Sequence, residues 1–310
     1  MHIDDLIRPF QLDRAGVRGR LVRLGPAVDE IIRRHGYPAG VSNLVGEAVA
    51  LSALLAGALK FDGVFSVQTK GDGPVRTLVA DFASPGRLRA YAQFDRAALD
   101  GLLAARPTVG ASVPRLLGAG YIAFTVDQGE ETDRYQGIVA LEGATLAECA
   151  HQYFRESEQI RTAIRLAAAP VGDGRGGGSW RAGGLMIQRL PEGDPAMLAR
   201  GYEADADAGE DDWRRAVMLL ATAKDEELLD PDVEADRLLW RLYHEEAVRV
   251  FDPVTLGFGC RCSGARAERV LNSLSQEALA DLVVDGRFLV KCQFCSSEYA
   301  YPAGQFLKAS

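Results

Sequence analysis

Four cysteines near the C-terminal end have the residue type and spacing of a metal site. They occur as Cys260-Arg261-Cys262 and, after 29 intervening residues, Cys292-Gln293-Phe294-Cys295. Thiolates are soft ligands. Two close pairs brought together by a folded loop supply the four that tetrahedral zinc takes, at about 2.3 Å per Zn–S bond. A structural zinc also folds modules too small for a core of their own, which suits a short cysteine-bearing segment beginning near Asp252. One pair is CxC, where most zinc ribbons carry CxxC. Residues two apart close only into a tight, strained disulfide, and strained disulfides are the labile ones. Each pair can therefore close on itself if zinc leaves. On spacing alone a permanently closed structural zinc is the competing reading. Arg261 and Lys291 flank the pairs and offset part of the negative charge of a tetrathiolate, a setting in which thiolates stay reactive. A thioredoxin-type use of the CxxC pair needs a helix after it, and Ser296 to Pro302 has no helical pattern.

The remaining chemical candidates are weaker. Cys149 shares the apolar face of a predicted helix with Leu146, Tyr153 and Phe154, so it reads as a buried core thiol. His151 lies two residues on, on another side of that helix, and does not pair with it. Gly172, Gly174 and Gly177 spell GxGxxG. A strand is expected after them, so no helix N-terminus is at hand for a pyrophosphate. His2, His35, His151 and His244 fall in no metal spacing. Glu47 and the pair Glu156 and Glu158 read as solvent-facing or ion-paired groups. No residue stands out as catalytic.

Stepping outward from these residues, Val41 to Leu59 is apolar nearly all round, the pattern of a helix buried in a core. Period-two alternation predicts strands over Val64–Lys70, Val75–Ala80 and Arg87–Gln93, then over Tyr121–Val126 and Tyr135–Leu141 about an acidic loop. Thr145 to Glu148 is a capping box that opens a helix. Thr162–Ala169 and Leu185–Leu190 form a further strand pair about the Gly-rich run from Gly172 to Gly184. Serial hairpins predict an α+β fold, mainly antiparallel sheet with packed helices. After Pro191 the composition changes. Glu203 to Asp212 is acidic and apolar-poor, a solvated linker. Amphipathic helices follow over about Asp212–Ala223 and about Asp232–Val250, the second striped by Leu238, Leu239, Leu242 and Tyr243. Three parts are expected: a core over 1–191, a helical acidic linker over 192–251 and a cysteine-bearing module over 252–310.

Composition narrows the class. A chain of 310 residues, 47% apolar and 25% charged, builds more than one core. Its net charge of −8 disfavours nucleic acid as a partner. The N-terminus has acidic residues where a signal peptide would be apolar, and the 12 uncharged residues between Glu47 and Lys60 are too few to span a bilayer. A cytoplasmic protein is expected, with its five cysteines reduced.

Several strings, in order, resemble the 33-kilodalton heat-shock protein family of bacterial redox-regulated holdase chaperones over nearly the whole chain. In the core they are HGYPAGVSNLVGEAVALSALLAGALKFDG, SVQTKGDGPVRTLVADF, YQGIVAL, YFRESEQIRTAI and GGLMIQRLP. LLWRLYHEEAVRVFD, FGCRCS and VKCQFCSSEYAY follow. The resemblance implies one zinc per reduced chain on Cys260, Cys262, Cys292 and Cys295. Under oxidative stress Cys260 would pair with Cys262 and Cys292 with Cys295, zinc would leave, and the module and linker would unfold. The activated chain would dimerise and hold unfolding client proteins without ATP, whereas the reduced chain is an inactive monomer. Membranes, nucleic acid and enzymatic turnover have no part in it. Ala265 stands where the family usually has an acidic residue, a departure that spares the ligands and bears on the turn after the first pair. A dithiol oxidoreductase or zinc-bearing hydrolase would be told apart by turnover, and a zinc-ribbon nucleic-acid binder by a salt-dependent shift on RNA or DNA.

Overall fold

The all-round apolar pattern predicted to be helical forms a helix over Ala39–Ala56 in the computed structural model, which describes residues 4–105, 112–129, 132, 134–172, 178–191 and 206–307. This helix, α2, is long and apolar enough to cross a membrane, yet 83% of it is buried as the central element of a core. The elements around it are, in chain order, β1 (Leu6–Leu12), β2 (Val17–Leu24), α1 (Pro26–Arg33), β3 (Val64–Gly71), β4 (Val75–Ala83), β5 (Arg87–Phe94) and α3 (Arg96–Ala105). Then come α4 (Val113–Leu116), β6 (Gly120–Asp127), β7 (Tyr135–Ala140), α5 (Leu146–Tyr153), a π-helical turn (Phe154–Glu158), β8 (Thr162–Gly172) and β9 (Gly178–Arg189). The later part holds α6 (Ala206–Ala221), α7 (Asp225–Leu229), α8 (Ala235–Tyr243), β10 (Val248–Val250), β11 (Val254–Thr255) and β12 (Gly257–Phe258).

Two sheets result. One runs β10-β1-β2-β9-β8, with β11 also on β1; the other runs β12-β5-β4-β3-β6-β7. Every pairing is antiparallel except β12 on β5. The fold is therefore α+β, as expected. Alternation explains the layering. Along β2, Val22 and Leu24 face the cluster around α2, whereas Val17 and Leu21 face a second cluster built with Leu220, Leu228, Leu238, Leu242 and Tyr243 of α6 to α8. The chain divides into two compact units, Met1–Phe258 and Gly259–Ser310.

Several expectations are corrected. The hairpin of β1 and β2 was not anticipated. The strands β8 and β9 run further into the Gly-rich segment than predicted, and Gly174 and Gly177 lie outside the described residues. The helix expected from Asp212 begins at Ala206, so the acidic stretch is partly helical. Its Glu210 is also not simply solvated, for it meets Arg161, next to β8, and Arg189 of β9; further along, Asp225 meets Arg165 of β8 and Asp236 meets Arg8 of β1. The helix expected to reach Val250 ends at Tyr243, because Ala247 turns left-handed at φ 52° and the chain returns as β10 against β1. In the capping box Thr145 Oγ1 accepts from the Glu148 amide, but the Glu148 carboxylate accepts from Ala144.

Candidate metal centre

The C-terminal unit contains α9 (Gly264–Asn272), α10 (Gln276–Asp281) and the hairpin of β13 (Arg287–Lys291) with β14 (Glu298–Pro302). Among the described residues its buried apolar cluster is Leu271, Leu279, Phe288 and Phe306, with partly buried residues such as Leu274, Val290 and Tyr301 packed against it. So small a cluster is a weak warrant for independent folding, and a crosslink is what such modules use. The four cysteines are placed to supply one through a metal ion. All are free thiols, and their sulfurs lie within 4.8 Å of one another. Cys260 and Cys292 are 3.7 Å apart at sulfur, Cys262 and Cys295 3.3 Å. Tetrahedral bonds of about 2.3 Å place neighbouring sulfurs about 3.8 Å apart, so the donor set and its spacing fit a zinc ion.

Local structure positions each pair. Cys292 and Cys295 sit in a tight turn after β13. The Ser296 amide donates to the Cys292 carbonyl at 2.8 Å and the Cys292 amide to the Ser297 carbonyl at 2.9 Å, with Ser296 left-handed at φ 57°. Cys260 and Cys262 precede α9, whose first turn is capped by Ser263 Oγ accepting from the Arg266 amide. The Arg266 guanidinium donates back to the Arg261 carbonyl at 2.6 Å. These two bonds hold the turn at Ala265, the position where an acid was missed. Lys291 is engaged with Glu298 across the hairpin at 3.7 Å, so its charge is shared.

The electrostatics keep most of the cluster neutral unless a cation joins it. Burial, followed by the neighbouring thiols, pushes Cys262 up to about 12 although Tyr299 bonds it, and burial also raises Cys292. At Cys295 burial is outweighed by Ser297, and the thiol falls to about 6. Four thiols this close cannot all ionise without a positive ion among them. Sequence reasoning missed Tyr299 and Ser297, which touch the sulfurs. Ser297 was detectable as a hydroxyl two residues past the CxxC; Tyr299 becomes a neighbour only through the hairpin.

The other candidates separate from this site. Cys149 is fully buried, and burial drives its thiol up to about 11. His151 Nε2 accepts from the Ile164 amide at 2.6 Å, and burial lowers its pKa, so it is a neutral structural imidazole. His35 and His244 each contact the carbonyl four residues earlier, and His2 lies outside the described residues. Glu156 meets Arg155, as an ion-paired surface group should. Two carboxylates differ from expectation. Glu158 accepts from the phenols of Tyr135 and Tyr153, and Glu47 is partly buried with its pKa pushed up to about 8.

A layered α+β unit followed by a small module with four clustered thiols defines a protein of two units, the second with a donor set that could hold a metal ion. A family model described as Hsp33 protein matches residues 5–302, and the chain belongs to that family. The 33 kDa chaperonin of Caulobacter vibrioides is 45% identical over 298 residues, 96% of this chain and 94% of its own. That of Azotobacter vinelandii is 38% identical over 301 residues, covering 96% and 92%. The crystal structure of a 33 kDa chaperonin from Thermotoga maritima superposes with a TM-score of 0.76 at 22% identity, over 99% of this chain and 97% of that one, a likeness of fold.

Proposed function

We propose that this chain is a redox-regulated, ATP-independent holdase chaperone, with no enzymatic turnover. The observation that carries the reading is the four-sulfur cluster in a unit with a small core of its own. Reduced, it holds one zinc per chain on Cys260, Cys262, Cys292 and Cys295. Zinc supplies the positive charge that lets four thiolates coexist, and apparent binding energies of about 10–16 kcal/mol in such modules make metal and fold interdependent. Oxidation forms Cys260–Cys262 and Cys292–Cys295. Each pair of thiolates would give two electrons to one peroxide, which takes two protons from solvent and leaves as two waters, and the resulting disulfide sulfurs would be poor ligands for zinc.

In this reading residues 252–310 are the switch, 192–251 a metastable helical linker, and 1–191 the core that binds client and dimerises when oxidised. Support for a releasable linker comes from its apolar stripe and from the ion pairs among its ties to the first sheet, which are part-exposed and worth only about 0–1 kcal/mol each, so that much of the hold rests on apolar packing and on Arg23 and Arg181. Uncovering the stripe and the sheet would create the large apolar surface a holdase needs. The thiols require a reducing compartment, so the protein works in the cytoplasm. Relatives named 33 kDa chaperonin support the same assignment.

The test combines metal analysis, thiol counting and light scattering from a thermally unfolding client, before and after peroxide. One zinc per chain, lost with four thiols as aggregation is suppressed, is the expected result. Suppression by the reduced, metal-loaded protein, or oxidation without zinc loss, sinks the reading.

A further inference from the structure

We infer that residues 1–258 carry a second binding site, independent of the thiols, for a small amphiphile with an apolar body and one anionic head. The site is a cavity of about 250 Å³ at the end of α2. Its walls are Leu55, Phe65, Phe124, Tyr153 and Phe154, from α2, β3, β6, α5 and the π-helical turn. Such a lining takes an apolar body. The volume lies just under the roughly 300 Å³ at which sites for drug-sized ligands begin, which selects something as small as a medium-chain carboxylate.

The head group is set by an unbalanced charge. Arg18, on β2, lines the cavity, and its Nε is buried with no hydrogen-bond partner. Among the described residues no carboxylate pairs with it. Arg20, two positions along the same strand face, donates to the Gly57 carbonyl at the end of α2 and likewise has no carboxylate partner among the described residues. Burial first, and then the charge of Arg18, lower Arg20 to about 10. Both arginines are part-buried, and a charged donor drawn out of water is paired as a rule, so the buried Nε of Arg18 has room for an anion. Glu158, also on the wall, accepts from Tyr135 and Tyr153 rather than from Arg18; its single negative charge is set against Arg18 and Lys60, which leaves the wall net positive. Lys60, exposed on the same wall, adds a cation.

A further observation points to the same place. The wall from Phe154 to Glu158 is a π-helical turn that ends with Gln159 left-handed at φ 55°. Single π turns are rare in proteins and concentrate at functional sites.

The experiment titrates octanoate, octanol and octylamine into the reduced full-length protein by isothermal calorimetry. Octanoate should saturate at one per chain, octanol should bind roughly tenfold or more weaker, and octylamine not at all; the ratio is that of one charge-assisted pair. Arg18→Met should weaken octanoate by about the same factor and leave octanol unchanged. Ala58→Trp, which fills the cavity, should abolish both, with thermal melting as the check on folding. Equal binding of octanoate and octylamine overturns the inference, as does octanoate binding untouched by Arg18→Met, or uptake without saturation. Should Ala58→Trp not fold, the contrast between octanoate and octanol in Arg18→Met still decides.

Discussion

The phenol of Tyr299 donates a hydrogen bond to Sγ of Cys262 at 3.1 Å, although 37 positions separate the two residues in sequence. A donor on a thiolate withdraws electron density from sulfur and slows its attack on peroxide. Tyr299→Phe keeps the ring and removes the donor. Metal content should stay at the wild-type value, while zinc release under peroxide, followed with a colorimetric chelator, speeds up several-fold, the effect of one charge-assisted bond of about 1.5–3 kcal/mol partly expressed in the rate. An unchanged release rate would mean the bond has no part in sulfur reactivity.

Metal removal should separate the two units in behaviour. The C-terminal unit buries four apolar side chains in its cluster, whereas the cluster around α2 draws on two sheets. A high-affinity zinc chelator added under reducing conditions should therefore abolish amide protection across 259–307 while α2 and β3–β6 keep theirs. Cys292→Ser should do the same without chelator. Retained protection in the metal-free C-terminal unit would show that its small core suffices.

How far these features were legible varies with the physics behind each. Cys260, Cys262, Cys292 and Cys295 were readable because ligand chemistry demands both the residue type and the paired spacing. The helix α2 was readable because its all-round apolar pattern has one stable environment, a core. The hairpin of β1 and β2 was also there to be read, since Val17-Arg18-Gly19-Arg20-Leu21 alternates, but its cationic positions resemble a surface segment. Gly19 explains part of the difficulty: any Cβ there would meet the Phe10 ring at 2.1 Å, so the strand carries a glycine where propensity argues against one. Val248 and Val250 extend the stripe of α8 in sequence and pair with β1 in space, a choice made by the left-handed Ala247 and by tertiary pairing. No local signal marks the π turn at Phe154–Glu158, because it follows α5 without a break in composition.

Two buried guanidiniums fasten the turn between α7 and α8. Arg181 grips Asp4 through bonds of 2.8 and 2.6 Å and donates to the Leu229 carbonyl; Arg23 donates to the carbonyls of Asp230 and Val233. Both side chains are at most 5% exposed. Arg181→Met should strand a carboxylate and a carbonyl, at a cost on the order of 2–4 kcal/mol. The loss should be local: faster hydrogen exchange over 225–250 and earlier proteolysis there, with α2 unaffected. If the linker is the element released on activation, this variant should also suppress client aggregation without oxidant. Wild-type exchange over 225–250 would refute the fastening role.

Glu47 makes the same attachment sensitive to pH. It projects from α2 with no hydrogen-bond or ion-pair partner among the described residues; burial first, and then Asp225 of α7, raise its pKa from 4.5 to about 8. An acid whose folded pKa exceeds its unfolded value binds its proton more tightly when folded. Its stabilising contribution is therefore complete below about pH 4.5 and is lost as the pH climbs through about 8. Ionised Glu47 also faces Asp225, which Arg165 of β8 holds at 2.8 Å, so the alkaline limb should loosen α7 first. Glu47→Gln removes the titration while keeping the shape. Thermal midpoints of variant and wild type should nearly coincide at pH 5 and diverge progressively toward pH 9, with the variant the more stable. Hydrogen exchange over Asp225–Leu229, corrected for intrinsic rates, should accelerate between pH 7 and pH 9 in the wild type alone. Parallel stability profiles for the two proteins across that range would place the Glu47 carboxylate in water and remove the pH sensitivity from this attachment.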